Sequence, residues 1–591
     1  MEITKSLLKE KVFIVLTAIL SLAFMVMLTG CKEEEYKPYE FAVGNGTSES
    51  PYEIATKEDL IGLQQDSLNN CFHYNEYFVL TSNIDLGGMN WTPIGKTGNS
   101  FGGVIDGKGY TISNFTINST TESSVGLFTS IWQQDSYNVV AVKNLNISNA
   151  TISVENYVGN NVDIGVLAGS ISGVVENCNV NATISVKNST LGKLGLLTGS
   201  CTGNIVNCTT DGEIKVENPE YNIWNDTSFY PNIGGVVGGI NGDVINCTNK
   251  ADFNEVIVGT EESTNGVTYY NGGVVGSLFK EGTKVLGCVN EGTLNTMGAC
   301  GGIVGTSASN VTVENCLNKG DVASKSEVCC DVGGVYGRGW STGVVIKNCK
   351  NEGDLSIDTK GCWWNVPVVE NVPGSNSYAA CWIGGIKSAG ASDVIACVNT
   401  GNVSATGECV VYLGGIAGGS DGDVINCYST GDVTGYSKYN NVMCSGIVGV
   451  VEGNTSNGII TVQNNFSTGR VLNQGRAILD AGATVAYDFV GGCFAYIHSE
   501  ANVLKNNYYV TNPTSPVLSG YRTPNSWYSD EEDHATSANF VGNGGVTLES
   551  LTSGDVLVGF DEYVDETDRA ENANNVWVFT QNKLPKLYWE D

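Results

Sequence analysis

One register repeats through most of this chain. Asn114, Asn144, Asn177, Asn207, Asn246, Gly287, Asn315, Asn348, Ala396, Asn426, Asn464 and Asn506 recur at spacings of 28 to 48 residues. Count from the residue that follows each. Three places earlier stands Ile112, Val142, Val175, Ile205, Val244, Val285, Val313, Ile346, Val394, Val424, Val462 or Leu504, always apolar. Six places later, from Ile184 through Ile214, Phe253, Leu294, Val322, Leu355, Val403 and Val433 to Val471, the chain is apolar again. In a straight strand, residues three apart face opposite sides. If both are buried the chain must bend between them. Asn tolerates the left-handed conformation better than other non-glycine residues, so it can make that bend. Gly287 suits the same role, and Ala396 has no sequence-level explanation.

A second fixed element lies 11–18 residues before each bend: a short apolar run framed by glycine, such as GVVG at 235, GIVG at 302 and GIAG at 415. Such a run is consistent with a buried strand between tight corners. Each repeat then holds about three short strands and three corners. The expectation is an all-β chain: a right-handed parallel β-helix of about twelve coils with short helical caps. At ~4.8 Å per coil this is a rod of roughly 55–60 Å. The expected segments are 50–100 for an N-terminal cap and first strands, 101–510 for the helix, and 511–591 for an irregular loop and C-terminal cap. Thr56 followed by Asp59 marks a capping helix near 57–68, and a second is expected near 548–553 before a terminal strand pair.

The residue after the bend is Cys178, Cys208, Cys247, Cys288, Cys316, Cys349, Cys397 and Cys427 in eight successive coils. Phe115, Leu145, Asn465 and Asn507 fill the same place elsewhere. A catalytic or metal-binding row would not tolerate those replacements. The cysteines read as a structural ladder of small apolar residues facing inward. No spacing suits zinc. Off-row cysteines, including Cys329, Cys330, Cys362 and Cys381, could pair in an oxidising compartment.

The first 30 residues read as a targeting leader. Lys5, Lys9 and Lys11 precede the apolar run 12–28, and Leu28-Thr29-Gly30-Cys31 follows. This resembles a bacterial lipoprotein lipobox, which implies cleavage before Cys31 and acylation there, palmitate included. Lys32-Glu33-Glu34-Glu35 resembles the surface-export signal of Bacteroidetes lipoproteins, with 31–49 as an acidic tether. The expected location is the outer membrane, lipid-anchored and facing outward. The net charge of −32 argues against nucleic acid as a partner.

The repeats, of the form GGIVG…V.NC…G.V, resemble those of GLUG-motif proteins. YEIATKEDLIGL (52–63), FVLTSNIDLGG (78–88), WTPIG (91–95) and FGGVIDGKGYTISN (101–114) look like the usual opening of such a helix, and VWVFTQNKLPKLYW (576–589) like its usual end. The resemblance implies a parallel β-helix with a surface role. Some relatives are immunoglobulin-A-specific metallopeptidases, but a zinc peptidase needs two His flanking a Glu on one helix. His73, His498 and His534 have no such spacing.

No catalytic residue, metal or cofactor is therefore expected. No nucleophile elbow or phosphate loop is present, and no acidic pair is seen at matching positions of neighbouring coils. Four long segments, 215–233, 254–271, 356–383 and 472–490, fall at one corner of the coil. They carry the candidate ligand contacts Trp224, Tyr230, Tyr269, Tyr270, Trp363, Trp364 and Trp382. The reading is a non-catalytic surface adhesin, or a rod binding glycan or host protein. The alternatives are a polysaccharide-active β-helix enzyme and a structural surface component.

Overall fold

The structure, a computed structural model, describes residues 36–590 apart from 96–98, 120, 160, 218–230, 257–269, 327–329, 340, 360–379, 408, 438–441, 454–457, 475–488, 500, 512–539, 558, 563 and 574. The chain divides into Met1–Glu40 and Phe41–Asp591. The described residues of the first unit form no helix or strand.

The second unit is a parallel β-helix. Its strands assemble into a 34-stranded sheet and two 11-stranded sheets. The coil around Cys427 shows the path. Val410–Gly414 lies in one 11-stranded sheet, Ala417–Ser420 in the other, and Val424–Ile425, Tyr428–Ser429 and Val433–Ser437 in the large sheet. Each strand pairs in parallel with its equivalents in neighbouring coils, as Val424 does with Val394 and Val462.

The bend is a single left-handed residue. All twelve positions have φ between 51° and 62°, Gly287 and Ala396 included. The residues three before the ladder position are buried, and so are those six after it, except half-buried Val471. Outside the bend the asparagine amides form ladders, for example Asn207 to Asn177 at 3.2 Å and Asn506 to Asn464 at 3.0 Å.

Ala396 now has an explanation. The C-terminal segment lies along the outer side of these bends. The Trp577 indole donates to Asn426 Oδ1 at 3.1 Å, the Trp589 indole to the Ala396 carbonyl at 3.0 Å, and Asn348 Nδ2 to the Tyr588 hydroxyl at 3.0 Å. Ala396 therefore belongs to an apolar cluster with Trp577, Leu587 and Phe560, where a bare amide would be desolvated. The helix Leu548–Ser553 and the antiparallel pair Trp577–Val578 with Lys586–Leu587 are present, along with a further helix at Glu566–Glu571. The strand pair, however, packs on the flank and does not sit across the open end. Its large rings find apolar partners there in Tyr428 and Phe466, which stack at 4.8 Å.

The eight ladder cysteines are buried free thiols. From Cys208 onward each packs against carbonyls of its own and the preceding coil, as Cys427 Sγ does on Ile425 O at 3.2 Å and Val394 O at 3.5 Å. Burial pushes the Cys316, Cys349 and Cys397 thiols well above their ordinary range, which suppresses the reactive thiolate. Asn465 continues the row: its Nδ2 takes the equivalent Val424 carbonyl at 2.9 Å, and its Oδ1 accepts the Cys427 N–H at 2.7 Å. Of the off-row cysteines, Cys329 and Cys362 lie outside the described residues. Cys330 and Cys381 are not joined in a disulfide; Cys381 Sγ accepts the Cys330 N–H at 3.3 Å and lies 3.4 Å from Cys409 Sγ.

A second internal ladder, two residues further on, has no counterpart in the sequence reading. Asn249, Asn290, Asn318, Asn351 and Asn399 are fully buried and linked in series at 2.7–2.8 Å. Each amide also donates to the carbonyl two residues on, at 2.8–3.1 Å. This ladder explains the second glycine of each GG pair. A Cβ on Gly302 or Gly334 would come within 2.4 Å of Asn318 Cγ or Asn351 Cγ. Removing one amide strands partners on both sides, so Asn318→Ala should cost ~2–5 kcal/mol. Removing one sulfur leaves only a small void, so Cys316→Ala should cost about 1–2 kcal/mol. Urea midpoints will rank them, and an equal or larger loss for Cys316→Ala would contradict this account.

Candidate functional site

The sequence points to aromatics on one corner. Trp224, Tyr230, Tyr269, Trp363 and Trp364 lie outside the described residues, as does Cys31. Tyr270 and Trp382 are described. Both occupy the same outward row of one 11-stranded sheet, joined in register through Ala299 and Asp331. At ~4.8 Å per coil they stand about 14 Å apart, so the structure does not bring them together.

Trp382 instead meets Tyr412, its register partner one coil on. Their rings stack with centroids 3.9 Å apart and planes at 20°. The alternation of the strand forces this placement. Cys381, Ile383, Val411 and Leu413 point into the core, so Trp382 and Tyr412 point out. The indole then crosses the corner onto the next sheet. A Cβ on Gly419 would lie 2.4 Å from Trp382 Cζ3, so only glycine admits the ring there. The corner is re-entrant along its length. Outward side chains of the two sheets also meet as Asp331 with Arg338 at 3.3 Å, and a Cβ on Gly239 would strike both Lys193 and Phe279.

Carboxylates border the aromatic pair. Ser420 pairs with Val451, which places Asp421 and Glu452 at matching positions of neighbouring coils. This corrects the expectation that no acidic pair recurs in register. The pair becomes visible when GIAGGSD (415–421) is aligned with GIVGVVE (446–452) on the glycine strand, because the bend used for the alignment is separated from it by a corner of variable length. Burial first, then the charge of Asp421, push Glu452 above its ordinary 4.5. Burial, and then the charge of nearby Glu452, likewise push up the Tyr412 phenol. Val451 pairs with Ile497, which carries the same row on to exposed His498, with Tyr496 beside it at 6.3 Å between rings.

Lys387 lies beneath. It is fully buried, and its ammonium donates to the carbonyls of Gly390, at 2.9 Å, and Ser392. Burial pulls its pKa down to about 8, against the attraction of Asp393, Asp421, Glu452 and Asp423. Not every acid here belongs to the site. Asp393 Oδ1 accepts the Asp423 N–H at 2.9 Å, and Asp423 Oδ1 accepts the Thr461 N–H at 2.7 Å, so these two peg coil to coil.

The arrangement can stack an apolar ring face on Trp382–Tyr412 and take hydroxyl hydrogen bonds at Asp421 and Glu452. Because Glu452 binds a proton in the fold that it releases when unfolded, its contribution to stability is complete below 4.5 and is lost as pH rises through the raised value. Stability measured between about pH 5 and about pH 9 should fall less in Glu452→Gln, which cannot ionise. Equal falls in the two proteins would show that Glu452 is not held protonated.

Three comparisons with known proteins bear on this chain. A protein of Evansella cellulosilytica described as a candidate Gly-rich membrane protein is 37% identical over 146 residues, 24% of this chain and 15% of that one. Halomucin of Haloquadratum walsbyi is 30% identical over 152 residues, 24% of this chain and 2% of that one. The matched stretch is thus a small part of either relative. A crystal structure of a candidate immunoglobulin A1 protease from Bacteroides ovatus aligns over 93% of this chain and 96% of its own, at 15% identity and a TM-score of 0.23. A second chain, called IgA1 protease, aligns over 82% of this chain and 25% of its own, at 13% identity and a TM-score of 0.20. Superpositions this loose carry no argument about activity. Residues 411–434, which hold Tyr412, Asp421, Asn426 and Cys427, match the family model of the GLUG motif.

Proposed function

We propose that this protein is a non-catalytic, surface-held binding protein and that the corner at Trp382 and Tyr412 contacts carbohydrate. The observation that carries the reading is the outward-facing ring pair at 3.9 Å, with Asp421 and Glu452 in register on neighbouring coils. Aromatic groups at the centre of a contact dominate its energy. A parallel β-helix supports such a role because each added coil extends the same outer rows, giving a long, regular face for an extended ligand.

Location rests on Leu28-Thr29-Gly30-Cys31 and the acidic tether behind it, and on relatives described as membrane or halomucin proteins. Cys31 is the attachment point for lipid in the outer membrane, with the binding face turned outward. Metabolic labelling with a palmitate analogue should mark the wild type and not Cys31→Ala. A labelled Cys31→Ala protein would remove the anchor from this reading.

Trp382→Ala should weaken binding to a glycan array about tenfold or more, the effect of losing ~1.4 kcal/mol or more at one contact. Its urea midpoint serves as the fold control. Unchanged binding with an intact fold would sink the assignment. The acidic pair in register favours one rival, a polysaccharide-cleaving enzyme on the same scaffold. Release of shortened products from a bound glycan, lost in Glu452→Gln, would establish that rival instead.

A further inference from the structure

At the N-terminal end the capping helix Lys57–Leu68 turns into the first coils through three left-handed residues, Asn70, His73 and Asn75, with φ of 68°, 55° and 62°. A histidine in that conformation is uncommon, and it places the ring inside. His73 is 8% exposed, and its two nitrogens face different partners. Nδ1 is hydrogen-bonded to Glu76 Oε2, while Nε2 lies 3.0 Å from Asp66 Oδ2 and 3.8 Å from Cys71 Sγ. Asp66 is fully buried, and Cys71 is half-buried at the rim. The ligand atoms of Asp66, Cys71 and His73 all lie within 4.8 Å of one another.

We propose that Asp66, Cys71 and His73 form a divalent metal site suited to zinc. With ligand bonds of about 2.0–2.3 Å and tetrahedral angles, zinc sets its N and O ligands about 3.4 Å apart and its N and S ligands about 3.6 Å apart. The observed 3.0 and 3.8 Å bracket those separations, so an ion fits with small side-chain shifts. Glu76 supplies the outer support that metal-bound histidines use: a carboxylate on the far ring nitrogen that fixes the tautomer and aims the other lone pair at the metal. One imidazole, one thiolate and one carboxylate suit zinc better than calcium or magnesium, which take oxygen ligands. Three protein ligands leave a fourth position on the Cys71 side, open to water or an outside ligand. The ion would tie the capping helix to the strand Tyr77–Leu80 through the short loop between them.

The test is titration of the purified protein with zinc and, separately, cobalt(II). The expected result is one metal per chain, a cobalt spectrum with tetrahedral d–d bands and a thiolate charge-transfer band, and a rise in thermal midpoint that saturates with zinc. Cys71→Ser sits at the rim, should leave the fold intact, and should lose the charge-transfer band and most of the affinity. Glu76→Gln retains all three ligands and should weaken binding about 10–100-fold. No binding at micromolar zinc by the wild type would overturn the site. So would a Cys71→Ser protein that binds cobalt with the wild-type spectrum, which would place the metal on other groups.

Discussion

A single left-handed residue in each coil supports the whole architecture. At the twelve aligned positions φ falls between 51° and 62°, and the turn it produces lets residues three apart both face inward. Without it one of the two apolar residues would point to water, and the large sheet could not wrap around the core. The conformation costs little in Asn and Gly and more in other residues. Ala396 is the exception that exposes the balance. Its backbone is held there by pairing on both sides, and its outer face is covered by Trp589 and its neighbours.

The interior that this bend creates is not purely apolar. Sulfur atoms stack in one row and amides in another, each meeting carbonyls that the strand ladder leaves over. Buried amides are costly unless every group is paired. Here the coil-to-coil repeat pairs them automatically, because the amide N–H of one rung donates to the side-chain oxygen of the next. The same ladder fixes the paired glycines and so shapes the corner between the two smaller sheets. That corner is re-entrant because glycine leaves the outer face bare. Internal packing on one side of the backbone thus makes room for Trp382 on the other.

The site at that corner gathers features that a core normally excludes. A buried ammonium, an acid pair in register and a stacked indole–phenol pair occur within three coils. The charges moderate each other: Lys387 draws Glu452 down, while Glu452 and its neighbours draw Lys387 up. Their position near one end of the solenoid gives a long outer face one polar, aromatic station.

The sequence by itself determined the coil. The bend asparagines, the apolar residues three before and six after, and the filler character of Cys427 follow from a period that only a stacked helix satisfies. It also singled out Trp382, as an aromatic of the long variable segment 356–383, although the residue lies within the strand Ala380–Gly384. It could not show that Trp382 rests on Tyr412, since that contact depends on the register between coils and segments of variable length separate them. The Asp421–Glu452 pair stayed hidden for the same reason, and so did the Asn249–Asn399 ladder, whose members look like ordinary turn residues until stacking buries them. The grouping of Asp66, Cys71, His73 and Glu76 rests on a tightly wound loop, whose side-chain directions are set by three left-handed residues and not by any periodicity. Tertiary structure alone decided where the C-terminal segment lies. Trp577 and Trp589 need an apolar partner surface with free hydrogen-bond acceptors, and the flank at Asn426 and Ala396 supplies both.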